Sequence, residues 1–186
     1  SIDELNQKLW NNCLNYRDTH KVSGREHSVK LMYQEEKRFL HSIPLFRFDT
    51  SKTVIATVDD YSTVKYEKNY YSVPTKYLRK SVTVKGYGNY IHIYYNNSEI
   101  TSFTRCYYCG KTMYNLEHYL DLLERKPRAI FNAKPVKQNV TEELLEWGRQ
   151  LPGGNREMVK LLRLCVDYGE ECILGIKHKI PGNIVP

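Results

Sequence analysis

The sequence predicts an α+β protein in which helices flank a small antiparallel β-barrel of the SH3-like or OB-like kind. Apolar residues recur at helical spacing near both ends of the chain, alternate with polar residues in the middle, and are separated there by glycine and asparagine. A chain of 186 residues can hold two small cores. We expect N-terminal helices over residues 1–48, the barrel over residues 49–111 and a C-terminal helical subdomain over residues 112–186.

The N-terminal segment begins with the pattern of a capping box, because Glu4 follows Ser1 at the third position. Apolar spacing then predicts an amphipathic helix over residues 2–17 and a second helix over residues 28–41. Two helices of this size cannot bury their apolar stripes alone. We therefore expect them to be the tail of a larger N-terminal body and its linker, from which this chain is a fragment.

From Lys52 the period of the apolar residues changes to two, which predicts half-buried antiparallel strands. Glycine and asparagine tolerate positive φ, so turns are expected at Lys68-Asn69, at residues 86–89 and at Asn96-Asn97. Closure into a barrel would leave no long edge unpaired. The expected strands are centred on Val54–Val58, Val64–Tyr66, Tyr71–Val73, Val82–Val84, Ile91–Tyr95 and Ile100–Ser102.

The last third of the chain is expected to be helical. Asn115 and Thr141 are suitable N-caps for helices that reach Arg125 and Leu151, and a long helix is expected from Asn155 to Leu174. Its apolar positions at heptad spacing predict either the core stripe of a small bundle or an intermolecular seam. These positions are Met158, Leu161, Cys165, Tyr168 and Cys172.

Positive charge is concentrated in residues 51–111, which hold nine Lys/Arg against four Asp/Glu and eleven of the sixteen tyrosines. Lysine and arginine neutralise phosphate, and aromatic rings can stack on bases, so this segment predicts a nucleic-acid surface. The alternative is that the lysines only protect strand edges and keep the protein in solution. The candidate DNA-binding residues are Lys65, Lys68, Lys76, Arg79, Lys80, Lys85, Arg105 and Lys111.

Two groups of residues have the side-chain chemistry of metal ligands. Cys106 and Cys109 have the spacing of half a zinc site, with His92 and His118 the only nearby partners, and a turn with two ordinary thiols is the alternative. The pair Asp59-Asp60 lacks a third carboxylate. The sequence therefore predicts neither a metal site nor another cofactor in this chain.

The remaining motifs argue against catalysis by this chain. There is no phosphate-binding glycine loop and no Gly-x-Ser-x-Gly nucleophile elbow. The five cysteines are an odd number at scattered spacings, which favours reduced thiols and a cytoplasmic protein. No apolar run is long enough to span a membrane. We expect a cytoplasmic chain without membrane contact that is not an enzyme by itself.

Specific strings resemble the C-terminal half of IstA-like transposases, the large subunits of two-gene bacterial insertion sequences, which are related to retroviral integrases and phage Mu transposase. The resemblance covers residues 1–135. It is carried by Leu5-Asn6 with Leu9-Trp10, by Asn15-Tyr16-Arg17, by Tyr71-Ser72-Val73-Pro74 followed by Tyr77, and by His118-Tyr119-Leu120 running through Leu123-Glu124-Arg125-Lys126-Pro127 to Ala129.

The resemblance implies a fragment that follows a catalytic RNase-H-like core, in which an Asp, Asp, Glu triad holds divalent metal and performs strand cleavage and transfer. It implies a barrel like the C-terminal domain of Mu transposase that contacts DNA, a helical tail for assembly with other protomers, and an AAA+ ATPase helper as a partner of the full protein. It also implies action at the bacterial nucleoid. No catalytic residue is carried over onto this chain.

Two functional hypotheses follow. The first is a non-catalytic part of a DNA transposase that binds the DNA backbone through the basic segment and contributes to transposase assembly. The alternative is a protein–protein interaction or oligomerisation module without direct DNA binding. The salt dependence of DNA affinity separates them, because counterion release belongs to phosphate contacts.

Overall fold

The structure is a computed structural model that describes residues 1–43, 45–46 and 48–179, with side chains of the last helix described to Ile176. Residues 180–186, the end of the expected C-terminal subdomain, lie outside the described residues. The chain forms two compact units, Ser1–Asp49 and the residues from Thr50 onward. Within the described part, no helix is long and apolar enough to cross a membrane.

Helices and strands divide the chain in the order that the sequence predicts. The α-helices are α1 (Ile2–Thr19), α2 (Val29–Glu36), α3 (Leu120–Arg125), α4 (Lys134–Asn139), α5 (Glu142–Gln150), α6 (Gly154–Tyr168) and α7 (Glu170–Lys179). The strands are β1 (Lys52–Thr57), β2 (Thr63–Tyr66), β3 (Asn69–Ser72), β4 (Ser81–Gly86), β5 (Tyr90–Tyr95), β6 (Ser98–Thr104) and β7 (Thr112–Met113). Short 3₁₀ helices occupy Lys37–Phe39, Thr75–Tyr77, Leu116–Tyr119 and Pro127–Asn132.

The N-terminal unit begins with the predicted capping box. The Glu4 amide donates to Ser1 Oγ over 3.2 Å, and the Glu4 carboxylate lies 2.8 Å from the terminal amine. Helix α1 runs two residues further than expected, to Thr19, whereas α2 ends at Glu36 and continues as a 3₁₀ turn. No residue of α1 or α2 is buried in this unit.

The strands of the second unit form two sheets. One sheet has the order β1-β4-β5-β6 with antiparallel neighbours, and the other has the order β2-β3-β7. In the second sheet β2 and β3 are antiparallel, but β3 and β7 are parallel, with Tyr70 opposite Thr112 and Tyr71 opposite Met113. The α+β class is therefore confirmed. The single antiparallel barrel is not confirmed, because no strand ladder joins the two sheets in the described residues and one pair is parallel.

Both sheets nevertheless bury side chains in one core. Alternate residues of β4 and β5 are buried while their neighbours are more exposed, as the period of two predicts, and in β2 only Lys65 is exposed. The buried members of this core are Val58, Val64, Tyr66, Tyr71, Val73, Val82, Val84, Ile91 and Ile93. The two sheets therefore pack as layers around shared apolar side chains.

Two of the expected turns have a different physical basis. Gly86 does not have a positive φ. A glycine is required at this position because an added Cβ would lie 2.1 Å from Oη of the buried Tyr66. The turn after β2 is formed by Glu67 and Lys68, with φ of 53° at Glu67, and not by Lys68-Asn69. Asn69 is instead a buried residue of β3. The predicted turn at Asn96-Asn97 is confirmed by positive φ at both residues.

The C-terminal helices surround a second core. Asn115 caps the 3₁₀ helix by accepting from the Glu117 amide over 3.0 Å, and Thr141 Oγ1 accepts from the Leu144 amide. The predicted long helix is interrupted at Gly169, whose φ of 87° ends α6 before α7 begins. The buried residues include Leu120, Leu123, Ile130, Val136, Leu144, Leu145, Met158, Val159 and Leu162.

The heptad positions of the predicted long helix separate into two groups at this break. Met158 and Leu161 are buried in the second core, and Cys165 is half-buried against it. Tyr168 and Cys172 are exposed. The first part of the stripe is therefore a core stripe, as one of the two interpretations predicts.

Hydrogen bonds connect the sheets to these helices. The Asn115 amide donates to Ser72 Oγ over 2.8 Å, and the same hydroxyl lies 2.8 Å from His118 Nδ1. Tyr119 Oη donates to the Tyr61 carbonyl over 2.8 Å. Because Ser72 and His118 are both buried, these bonds fix the first helical turn against β3.

Candidate nucleic-acid interface

The segment between β3 and β4 brings two predicted lysines together. After Pro74, residues Thr75–Tyr77 form a 3₁₀ turn, and the backbone reverses at Arg79 with φ of 59°. The Arg79 amide donates to the Val58 carbonyl and the Val58 amide donates to the Lys80 carbonyl, which ties the segment to the end of β1. The loop is therefore held by backbone bonds while its side chains remain outside.

Lys76 and Lys80 lie over tyrosine rings. The Lys76 Nζ atom is 5.2 Å from the centre of the Tyr77 ring, and Lys80 Nζ is 5.6 Å from Tyr77 and 5.1 Å from Tyr95. The rings themselves pack 5.1 Å apart, partly buried against the first core. We call Lys76, Tyr77, Lys80 and Tyr95 the lysine–tyrosine cluster. Exposed cation–π contacts are worth about 0.5–1 kcal/mol, so they position the ammonium groups and leave their charge available.

Arg79 differs from its neighbours because it is already paired. Its Nε atom donates to Asp60 Oδ1 over 2.8 Å, and this hydrogen bond raises the pKa of the guanidinium above its ordinary value. Both side chains are exposed, so Asp60 competes with phosphate for Arg79 without removing its charge. The structure therefore places Arg79 beside the lysine–tyrosine cluster without making it an equal member.

Arg105 is also engaged inside the protein. It donates to Glu67 Oε2 over 3.0 Å and to the Tyr87 carbonyl over 2.8 Å, and its guanidinium lies 4.9 Å from the centre of the Tyr107 ring. The hydrogen bond from Arg105 lowers the pKa of the Glu67 carboxyl. These contacts give Arg105 a structural role in joining the turn after β2 to the end of β6.

Three further lysines form a separate group around the turn between β2 and β3. Lys65 is exposed on β2 opposite Tyr70. Lys68 and Lys111 are exposed and adjacent, because the Lys68 carbonyl accepts from the Gly110 amide over 3.0 Å. Their side chains enter no ion pair among the described residues, so all three can meet an anion.

Lys85 lies on the outer face of the β1-β4-β5-β6 sheet. Its Nζ atom is 5.6 Å from the centre of the Tyr94 ring, and the same face carries Tyr90 and His92. Glu99 accepts hydrogen bonds there from Tyr94 Oη over 3.3 Å and pairs with His92 Nδ1 at 3.0 Å. This face is aromatic, and its charges of both signs lie close together.

The candidate metal ligands Asp59, Cys106 and Cys109 do not gather into a metal-binding group in the described residues. Asp59 Oδ1 accepts from the Thr63 amide over 2.7 Å and from the Tyr61 amide over 3.0 Å, which organises the turn before β2. Cys106 is half-buried and Cys109 is exposed. Within the described residues there is no group of three or more His, Cys, Asp or Glu that could hold a metal ion.

A second basic stretch was missed by counting charge over long segments. Residues 125–137 contain five Lys/Arg and no Asp or Glu, but the acidic residues on either side hide them in a longer count. All five are exposed and have no ion pair in the described part of the chain. A count of charge over a short window, about the length of one helix, detects these residues. They are Arg125, Lys126, Arg128, Lys134 and Lys137.

The family model and the relatives that match this chain are all transposases. Residues 43–115 match the family described as the Mu transposase C-terminal domain. The chain is 26% identical over 182 residues to the transposase for insertion sequences IS1326/IS1353 from Pseudomonas aeruginosa, and equally similar to that from Shigella flexneri. These alignments cover 94% of this chain and 36% of each relative. A transposase from Aminobacter aminovorans is 30% identical over 119 residues, which are 60% of this chain and 23% of that protein.

The chain thus spans about a third of the length of the first two relatives. The family match covers the strands and the lysine–tyrosine cluster, and it ends at Asn115, immediately before the C-terminal helices.

Proposed function

We propose that this chain, which is related to the C-terminal part of IstA-like insertion-sequence transposases, binds the DNA backbone through its basic sheet region and contributes to transposase assembly. The lysine–tyrosine cluster is the observation that carries the proposal. The ammonium groups of Lys76 and Lys80 are exposed and lie over aromatic rings, and neither forms an ion pair with a carboxylate in the described residues. Such an arrangement is suited to phosphate contacts that do not read sequence.

The lysines around the turn between β2 and β3 extend the same proposal. Lys65, Lys68 and Lys111 are exposed and free of ion pairs in the described residues, so they add phosphate contacts without a specific geometry. We assign Arg79 and Arg105 a smaller part, since both are paired with carboxylates. The closed barrel also remains a proposal, supported by the one core that both sheets share.

Catalysis is proposed to lie elsewhere in the parent transposase. The resemblance to IstA-like proteins suggests that strand cleavage and transfer, with their divalent metal, belong to a core domain outside this chain. It also suggests an AAA+ ATPase as a partner of the full protein and action on DNA at the bacterial nucleoid. This chain's own part in the reaction would then be to hold DNA and other protomers.

The DNA surface is tested by fluorescence anisotropy with a labelled duplex across a salt series of about 50–200 mM. We expect the wild-type chain to bind with an affinity that falls steeply with salt. In the double variant Lys76→Ala, Lys80→Ala we expect the slope of log affinity against log salt to be reduced by about 2, because each lysine releases about one counterion.

A matched control removes the same charge at another site. Arg156 and Lys160 are exposed on α6, so Arg156→Ala with Lys160→Ala lowers the net charge equally. We expect this control to keep the wild-type slope. An equal loss in both variants would mean that only net charge matters, and absence of duplex binding at low salt would favour the interaction-module alternative.

The resemblance assigns assembly to the C-terminal helices, and in this chain the exposed apolar stripe of α1 is a second surface at which protomers can associate. The same stripe is expected to pack against a larger N-terminal body in the parent protein. Leu5 is 66% exposed and Leu9 is 60% exposed, with Ile2 and Trp10 beside them, and apolar surface of this kind is typical of interfaces. We expect the chain to self-associate in sedimentation equilibrium and the variant Leu5→Ala, Leu9→Ala to associate about 10-fold more weakly, since alanine keeps the helix but removes apolar contact.

The control for assembly lies on the opposite face of the same helix. Gln7→Ala with Asn11→Ala keeps the helix, whose propensity it raises slightly, and leaves the apolar stripe intact. We expect its self-association to match the wild type. If the wild-type chain is monomeric at every concentration, or if both variants associate equally, α1 does not serve as an assembly surface.

A further inference from the structure

A groove lined by none of the residues of the lysine–tyrosine cluster runs between the β2-β3-β7 sheet and the C-terminal helices. Tyrosine rings from four different segments line it, together with Lys126 and Lys134 at its rim. The tyrosines are Tyr61, Tyr70, Tyr114 and Tyr119. We call this surface the tyrosine groove. The concentration of aromatic rings beside free ammonium groups distinguishes it from an ordinary crevice between packed elements.

The rings have two different roles in the groove. Tyr114 and Tyr119 pack edge to face with centres 5.8 Å apart, and Tyr119 Oη is bound to the Tyr61 carbonyl, so these two form a fixed wall. Burial raises the pKa of the Tyr119 hydroxyl, which therefore remains a neutral donor. Tyr61 is 78% exposed and Tyr70 is 36% exposed, so their rings are accessible to a ligand.

The charge of the groove favours an anion. Lys126 and Lys134 are exposed and make no ion pair among the described residues. The one carboxylate in the lining, Asp59, accepts from the Thr63 and Tyr61 amides and from Thr63 Oγ1, so its oxygens are occupied. Nearby Asp121 is paired with Arg163 at 2.8 Å. A negatively charged ligand would meet lysines and few unpaired carboxylates.

The sheet edge beside the groove is closed to an extended peptide. Gln138 donates from Nε2 to the Thr112 carbonyl and accepts at Oε1 from the Tyr114 amide, both over 2.9 Å. Addition of a peptide strand needs these backbone groups free. Strand β3 is already paired on both sides, by β2 and by β7. A peptide therefore cannot add as a strand at this edge, whereas a nucleic-acid base requires only a ring face.

We propose that the tyrosine groove binds unpaired, single-stranded DNA. Bases would stack on Tyr61 and Tyr70, and the phosphates would pair with Lys126 and Lys134. A duplex hides its ring faces in the base stack, so it cannot use the tyrosines in this way, whereas single strands bind proteins by this combination of stacking and charge. This inference uses residues outside the lysine–tyrosine cluster and does not depend on duplex binding there.

The test measures anisotropy of a labelled oligo(dT) and of a labelled duplex with the whole chain. We expect Tyr61→Ala with Tyr70→Thr to weaken oligo(dT) binding about 10-fold or more, as loss of base stacking does, and to leave duplex binding within about 2-fold. The variant Tyr61→Phe, Tyr70→Phe keeps both rings and is expected to bind oligo(dT) as the wild type does. Lys126→Ala with Lys134→Ala should lower affinity and the salt slope, and circular dichroism checks that each variant is folded.

Several results would overturn the inference. The wild-type chain failing to bind oligo(dT), or the ring-deleting variant losing duplex and single-strand affinity equally, would exclude a single-strand site. Loss of binding in the phenylalanine variant would show that hydroxyls and not ring faces are used. Binding of a Glu/Tyr copolymer that the ring-deleting variant loses, with no binding of oligo(dT) by the wild type, would identify a peptide site. Failure of the Lys76→Ala, Lys80→Ala test alone would not affect these readings.

Discussion

Replacement of Asn69 by alanine is expected to lower the free energy of unfolding by about 3 kcal/mol. The buried amide donates from Nδ2 to the carbonyls of Cys106 and Tyr108 over 2.8 and 2.6 Å, and its Oδ1 accepts from the Lys111 amide over 2.9 Å. One side chain thus supplies three bonds to the loop between β6 and β7. Each group left unpaired in the interior costs about 1–3 kcal/mol.

Urea unfolding followed by circular dichroism measures this effect. The matched control is Asn89→Ala, at an exposed position in the turn between β4 and β5, for which a change within about 0.5 kcal/mol is expected. Hydrogen exchange of the Lys111 amide should also accelerate in the Asn69 variant only. A change in Asn69→Ala no larger than in the control would show that water replaces the amide and that the loop does not depend on it.

Asn69 also shows where sequence reasoning fails. Asparagine beside lysine between two apolar alternations is typical of a turn, and the sequence predicts one there. In the structure the residue with positive φ is Glu67. The side chain of Asn69 is buried, where it forms hydrogen bonds with backbone groups that are distant in the sequence. Those partners lie 37 to 42 residues later in the chain. Local propensity has no information about bonds of that range.

The strands were predictable for the opposite reason. The pleat places every second residue on one face, so alternation in the sequence reports burial directly, and each of the expected strands is present. Strand β7 was not expected, because Thr112–Met113 is too short to show a period. Its parallel pairing with β3 depends on the turns around it, and this pairing separates the structure from the expected antiparallel barrel.

The candidate DNA residues divide in the same way. Clustering in the sequence correctly brings Lys76 and Lys80 together, because they lie on one short turn. It cannot show that Arg79 meets Asp60, 19 residues away, or that Arg105 meets Glu67, 38 residues away. The number of Lys and Arg side chains in a segment that are available to bind phosphate is therefore smaller than the total number of Lys and Arg residues. The tyrosine groove was also beyond prediction, since its rings come from separate elements.

The second large effect is a loss of stability in acid that depends on His118. Its ring is 7% exposed, Nδ1 lies 2.8 Å from Ser72 Oγ, and burial lowers the pKa of His118 from 6.5 to about 4. Because the Asn115 amide donates to the same hydroxyl, we assign Ser72 Oγ–H as the donor and the unprotonated Nδ1 of a neutral imidazole as the acceptor. The folded chain therefore resists protonation of a group that the unfolded chain protonates readily.

The sign of the effect follows from linkage. Above pH 6.5 neither state holds the proton, so the contribution of His118 to stability is complete. As the pH falls from 6.5 toward 4, the unfolded state gains a proton that the folded state refuses, and the free energy of unfolding decreases. At 1.36 kcal/mol per pKa unit, the loss amounts to about 3 kcal/mol, and it levels off below the folded pKa.

Urea titrations at about pH 7.5 and about pH 4 compare the wild type with His118→Asn, whose amide oxygen can take the place of Nδ1. The variant is expected to be less stable at neutral pH, since it loses ring contacts that include Phe103 at 6.2 Å, but to lose about 3 kcal/mol less on acidification. His27→Asn, at an exposed position of the first unit, should keep the wild-type difference.

If His118→Asn and the wild type lose the same free energy between the two pH values, His118 is protonated without strain and does not hold the helices to β3 as a neutral ring.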